Sequence, residues 1–303
     1  MQKFNQQNSP SVDKKNAEKS ATKLYCSPYN QIKYGEKDGT CYSYNDLISI
    51  AIEYNKLSKK KINIHQPKLQ LHNDLEKAFQ KICTDELCWI NNDIIKNPQL
   101  KSKVKNSFRP LKPKEWYDDR KTWLNTYDIQ FVLEQYEQLY TDFKLLGVYP
   151  IDFAYNDEYG RCIGDDLCNF NIKTSLPKGK KQFGMVLNLD YHNEPGSHWV
   201  SVFCNINPKK ENFGIYYYDS VANPPPKEVV EFMKLVQSQV NDPKFKVQSN
   251  EIQKQFANSE CGMFSIIFVT QMLKQVPFDF ICKHMRTDSE INKIRDVIYT
   301  PSK

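Results

Sequence analysis

The sequence predicts an α+β fold, a mostly antiparallel sheet flanked by helices and preceded by an all-α region. Three observations carry that prediction. Two runs of aromatic and β-branched residues, Ser197 to Cys204 and Phe213 to Ser220, flank a polar turn and read as the strands of a hairpin. The run Met263 to Leu273 is apolar, free of Gly and Pro, and long enough for a buried helix. The first third of the chain has hydrophobic spacing of helical period. Helices packed against one side of an antiparallel sheet make an α+β architecture.

Taken in order, residues 1–23 are rich in Gln, Asn, Ser and Lys and are expected to form a disordered arm. They lack the apolar core of a signal peptide. Residues 42–55 repeat Leu47, Ile48, Ile50, Ala51 and Tyr54 at helical intervals, and residues 74–82 do so with Leu75, Ala78, Phe79 and Ile82. A third short helix is expected over residues 91–104. Residues 24–110 thus read as a helical N-terminal domain. Pro110 and Pro113 mark a linker, which starts a second domain at 111–303. There Asn125-Thr126 opens a helix whose stripe runs from Ile129 to Leu146 and is stopped by Gly147 and Pro150. Residues 155–181 read as surface loops around a short strand, and Phe183 to Asn188 as a buried strand. Lys227 to Val240 has one apolar face and follows three prolines, so it is an amphipathic helix. Residues 243–252 read as another strand, and Phe278 to Ile298 as a closing helix.

Composition sets the bounds. The 303 residues, 40% hydrophobic and with 17 Phe, 18 Tyr and 4 Trp, suffice for a real core. No apolar run approaches the length of a membrane span. Net charge is +6, much of it in the first 23 residues and in the runs Lys59 to Lys61 and Lys178 to Lys181. That mild excess reads as solvated loops, tolerating nucleic acid without requiring it. Nine cysteines are an odd number, and they are expected to be mostly reduced. Cys26, Cys41, Cys83 and Cys88 have spacing permissive for zinc, but no matching second knuckle or His. They read as packed cysteines, and neither a metal nor an organic cofactor is expected.

The chemistry converges on Gln255-Phe-Ala-Asn-Ser-Glu-Cys261-Gly262. Cys261 falls at a helix N-terminus, where unpaired N–H groups and the helix dipole favour a thiolate. Alone, such a cysteine is more often a packed core residue; the upstream pair changes the reading. His198 opens the first strand of the hairpin and Asp219 closes the second, so both reach one end of the sheet. A nucleophile, a base and an acid that orients it need this convergence in space. Gln255 lies where its amide can join the Cys261 N–H in an oxyanion hole. Asn188 is a hydrogen-bonding candidate near His198, and Trp199 a cleft roof leaving room for small residues only. His192 is the rival base, in a loop with no strand behind it; Cys282 and His284 read as bland.

His198-Trp199, then Asp219-Ser after an aromatic strand, then Gln255-x5-Cys261-Gly262 before an apolar helix, resembles the cysteine-protease clan of adenain and the ubiquitin-like-modifier proteases. Within it, Phe183-Gly-Met-Val-Leu-Asn188-Leu-Asp190, Asp219-Ser-Val-Ala-Asn-Pro-Pro and Glu260-Cys261-Gly262 are similar to the polyprotein-processing proteases of large DNA viruses such as African swine fever virus. One departure is the third triad position: Asp219, the residue of most of the clan, stands where the swine fever enzyme carries Asn. The likeness spans residues 40–300 and is specific from 120 onward. It implies a Cys261–His198–Asp219 triad with Gln255, and a substrate channel lined by the Trp123-Leu124 segment. It implies viral polyprotein substrates cut after Gly-Gly-X motifs, and residence in the virion and at cytoplasmic assembly sites of the host. Adenoviral relatives use DNA as an activator, so nucleic acid as weak activator or tether goes with the likeness. The alternatives are an isopeptidase of ubiquitin-like modifiers and a non-catalytic binding module of the same fold.

Overall fold

The computed structural model describes residues 24–301, so the arm expected over residues 1–23 lies outside the described residues. The first part of the chain is helical: α1 (Tyr44–Leu57), α2 (Lys68–Phe79), α3 (Glu86–Asn91) and α4 (Pro98–Lys105). Ser43 and Asp46 form a capping box that starts α1, and the side chains of Asp85 and Asn97 cap α3 and α4. The helix expected over 91–104 is confined to α4, and α3 ends where it was expected to begin. These helices close over a core of their own that includes Tyr42, Leu75, Phe79, Trp89 and Phe108. The region is tied to the rest at its end, where Lys112 N–H donates to the Thr300 carbonyl and the Gln135 amide to the Phe108 carbonyl.

Next come α5 (Thr126–Leu139), β1 (Phe143–Pro150), β2 (Gln182–Asn188), β3 (Trp199–Asn205), β4 (Gly214–Tyr218), α6 (Lys227–Val240), β5 (Lys246–Ser249), α7 (Cys261–Leu273), α8 (Phe278–His284) and α9 (Asp288–Ile298). The strands form one sheet in sequence order. β2–β3 and β3–β4 are antiparallel, whereas the outer pairs β1–β2 and β4–β5 are parallel. The sheet is thus mixed, antiparallel only at its centre. The central strands are buried along their whole length, which is why they read as continuous apolar runs.

β1 is the main departure from expectation. The stripe that begins in α5 was expected to stay helical to Leu146, but the helix ends at Leu139. Phe143, Leu145 and Val148 bury one face of a strand, with a bulge between Leu145 and Gly147. Gly147 marks the bulge, not a helix stop; the Tyr149 ring occupies the space a Cβ there would take. Residues 155–181 hold two short helical turns and no strand, and the closing helix is two, α8 and α9.

Helix α7 is buried around its circumference, as a helix between two layers must be. With α5, α8 and α9 it covers one face of the sheet; α6 and the 151–176 loops cover the other. The expectation of reduced cysteines fails. Cys26–Cys41, Cys83–Cys88 and Cys162–Cys168 are disulfides with Cα separations of 4.9, 5.4 and 5.9 Å. Bonded to one another, the first four cannot be thiolate ligands, which removes the zinc reading. Only Cys204, Cys261 and Cys282 are free, all buried. Alkylation in denaturant without reductant should label these 3 thiols, and all 9 only after reduction. Nine labels before reduction would contradict the pairing.

Candidate active site

Three segments bring the predicted residues to one end of the sheet. His198 precedes β3, and Asp219 follows β4, whose Tyr218 pairs with Ser201. The register therefore sets the imidazole beside the carboxylate, and His198 Nε2 lies 2.6 Å from Asp219 Oδ1. Asp219 is fully buried. Its carboxylate accepts from the Val221 and Asn223 amides, while Asn250 brackets its backbone, accepting from Asp219 N–H at 2.8 Å and donating to its carbonyl at 2.6 Å. A buried carboxylate so supplied with donors keeps one orientation.

Cys261 is the first residue of α7, its thiol buried and within hydrogen-bonding reach of His198. With Nε2 on Asp219, the other ring nitrogen, Nδ1, is left for the sulfur. Burial is the largest single influence on the imidazole and lowers its pKa. The hydrogen bonds and negative charges of Asp219 and Cys261 together outweigh it, and the pKa rises to about 9. The arrangement therefore favours a protonated imidazole at neutral pH, beside the Cys261 sulfur. Gly262 lets the helix come close to the 122–125 segment: a Cβ there would lie 3.1 Å from Leu124.

Gln255 is buried, its Oε1 accepting from Ser220 Oγ at 2.6 Å and its Nε2 donating to the Ala257 carbonyl at 2.6 Å. One amide hydrogen remains for another acceptor. Asn188 does not approach the imidazole through its oxygen; Oδ1 accepts from the Asp190 and Ser197 amides and so holds the loop that ends in His198. The Trp199 indole donates to the Leu124 carbonyl at 2.9 Å, fixing it between β3 and the segment before α5. His192 lies apart, paired with Asp152 and stacked on Tyr155.

The least legible part is a buried ion pair. Arg295 of α9 donates to Glu260, the residue before the nucleophile, at 2.9 Å and also to the carbonyls of Thr122 and Ser259. Asn292 donates to the other Glu260 oxygen, and the guanidinium lies 4.2 Å over the Trp116 ring. One side chain thus ties the nucleophile loop to the segment carrying Trp123 and Leu124. The available signal was a charge on the apolar face of α9, four residues after Ile291.

Residues 185–300 match the family model described as Ulp1 protease family, C-terminal catalytic domain. A putative thiol protease of Acanthamoeba polyphaga mimivirus is 31% identical over 306 residues, covering 92% of this chain and 94% of the relative. A cysteine protease of African swine fever virus is 22% identical over 245 residues, covering 76% and 88%. The crystal structure of a swine fever virus protease superposes with a TM-score of 0.62 at 21% identity over 82% of this chain and 95% of that one, a likeness of fold.

NMR titration of the His198 ring should give a midpoint about 9, and Asp219→Asn should lower it. The folded-state value lies above the unfolded one, so this contribution to stability is complete below about pH 6.5 and is lost as pH rises through about 9. A midpoint at or below 6.5 would contradict the pairing. Arg295→Met leaves Glu260 buried without its counter-ion and should cost about 3–5 kcal/mol in denaturant melts. Adding Glu260→Gln should recover part of that loss; no recovery would argue against the pair.

Proposed function

The chain is a cysteine protease and belongs to the Ulp1 protease family, and on that footing we propose that it is a viral maturation endopeptidase using a Cys261–His198–Asp219 triad. The observation that carries the proposal is the convergence of the three side chains, with His198 2.6 Å from a fully buried Asp219 and in reach of Cys261. The Cys261 thiolate attacks the scissile carbonyl. The Gln255 amide and the Cys261 backbone N–H receive the oxyanion. His198, held in one tautomer by Asp219, gives its proton to the leaving amine, and water then releases the acyl-enzyme.

The substrate side is read from the walls. Trp199 is pinned to Leu124, and the neighbouring Trp123 ring is exposed at the same place. A cleft roofed by Trp199 would admit backbone and exclude side chains, which favours glycines before the cut, as in Gly-Gly-X. Polyprotein cleavage would place the enzyme in forming particles and at host assembly sites. The mild basic excess leaves nucleic acid the part of a weak tether. The helical residues 24–110 form a unit with its own core ahead of the protease domain, and the likeness to viral relatives over that region favours maturation over general deconjugation. Deconjugation is the second reading, favoured by a swine fever relative named SUMO-1 cysteine protease.

A peptide panel varying the two residues before the cut, with a modifier–reporter fusion beside it, tests this. Gly-Gly-X peptides should be cut and Cys261→Ala should abolish the cutting. Gln255→Ala should lower kcat by roughly 10²–10³. Preference for the folded modifier would move the function to deconjugation, and indifference to Gly would sink the cleft.

A further inference from the structure

A cavity of about 840 Å³ opens on the α6 face of the sheet, opposite the face that α7 covers. Its walls include the exposed rings of Tyr155 and Tyr191, the exposed Leu235, and the buried Phe153 and Phe232. Five carboxylates join them: Asp152, Asp157, Glu158, Glu228 and Glu231. The one basic side chain in the lining, His192, is taken up by Asp152. Asp157 pairs with Arg161 and Glu231 weakly with Lys227. Glu158 and Glu228 have no ion-pair partner among the described residues, in a chain whose net charge is +6.

Position gives the cavity a role. The loop from Asp190 to Ser197 runs from His192 in its wall directly to His198, and the Ile151 amide donates to the Asp190 carbonyl at 3.2 Å. His198 must sit beside the leaving amine, so the substrate residues after the cut depart along this loop. Trp199, assigned above to the glycine side, packs on the α7 face. Asp152 follows β1, two strand spacings from β3, which is roughly 10 Å. An extended chain covers that in about three residues.

We propose that this cavity is a subsite for a Lys or Arg of the substrate lying about three to five residues after the scissile bond. The aromatic faces receive the cation and its aliphatic stem, and Glu158 and Glu228 supply the counter-charge. The proposal rests on the protease reading above and names the leaving side of that same substrate.

The test uses Gly-Gly-X peptides carrying Arg, Ser or Glu at those positions, cut by the full chain. At low salt kcat/KM should rank Arg above Ser above Glu, with Arg over Ser by roughly five- to tenfold. The preference should shrink in high salt. The double variant Glu158→Gln with Glu228→Gln should lose the preference while cutting the Ser peptide as before. Equal cleavage of the three, or a preference that survives the double variant, would overturn the subsite. Should even the Ser peptide resist, the Gly-Gly reading fails instead. The subsite is then tested by fluorescence anisotropy of the Arg and Glu leaving-side peptides on the Cys261→Ala protein. Tighter Arg binding that is lost in the double variant upholds the subsite, and equal binding overturns it.

Discussion

A carboxylate removed wholly from water must be compensated within the protein, and Asp219 is such a group. Much of this molecule can be understood as the means of supplying its hydrogen bonds. Two amides of its own turn and the His198 ring take its oxygens, and Asn250 fixes its backbone from the end of β5. The ring it holds is then raised to about 9, its own burial being outweighed by Asp219 and the Cys261 sulfur together. The parallel β4–β5 pairing is what delivers Asn250 to that place.

The second frame lies on the nucleophile side. Helix α7 presents Cys261 at its N-terminus, but a helix end fixes a thiol only as well as the preceding loop is fixed. Glu260 and Arg295, both almost wholly buried, supply that rigidity from the last helix of the chain. The C-terminal helices therefore do more than close the core. Ion pairs at this depth are poor net stabilisers compared with apolar packing, and their value here is in defining one geometry.

The parts legible in the sequence were those with short-range or strongly periodic signals. The hairpin strands, α6, the buried α7 and the start of α5 follow from period and capping, and the juxtaposition of His198 and Asp219 follows from the hairpin. What was missed depends on tertiary context. Over Tyr136 to Leu146 helical spacing and strand alternation coincide, and only pairing with β2 decides between them. The cysteine pairs depend on Cα separation, which spacing along the chain does not give. Asn250 acts through a partner tens of residues away, and nothing local distinguishes it from a surface polar residue; Arg295 announces itself only as a charge on the apolar face of α9, without naming its partner. The sheet's parallel edges were hidden because crossovers had to be known first.

In the proposed reaction Cys261, activated by His198, is the nucleophile that meets a carbonyl after glycines. A Gly-Gly peptide bearing a carbon electrophile in place of the scissile carbonyl, followed by intact-mass and peptide mapping, tests it most directly. A single adduct is expected on Cys261, fast in the native protein, strongly slowed by His198→Ala and absent after unfolding. An adduct on Cys204 or Cys282, or labelling of Cys261 at the same rate with and without His198, would contradict it.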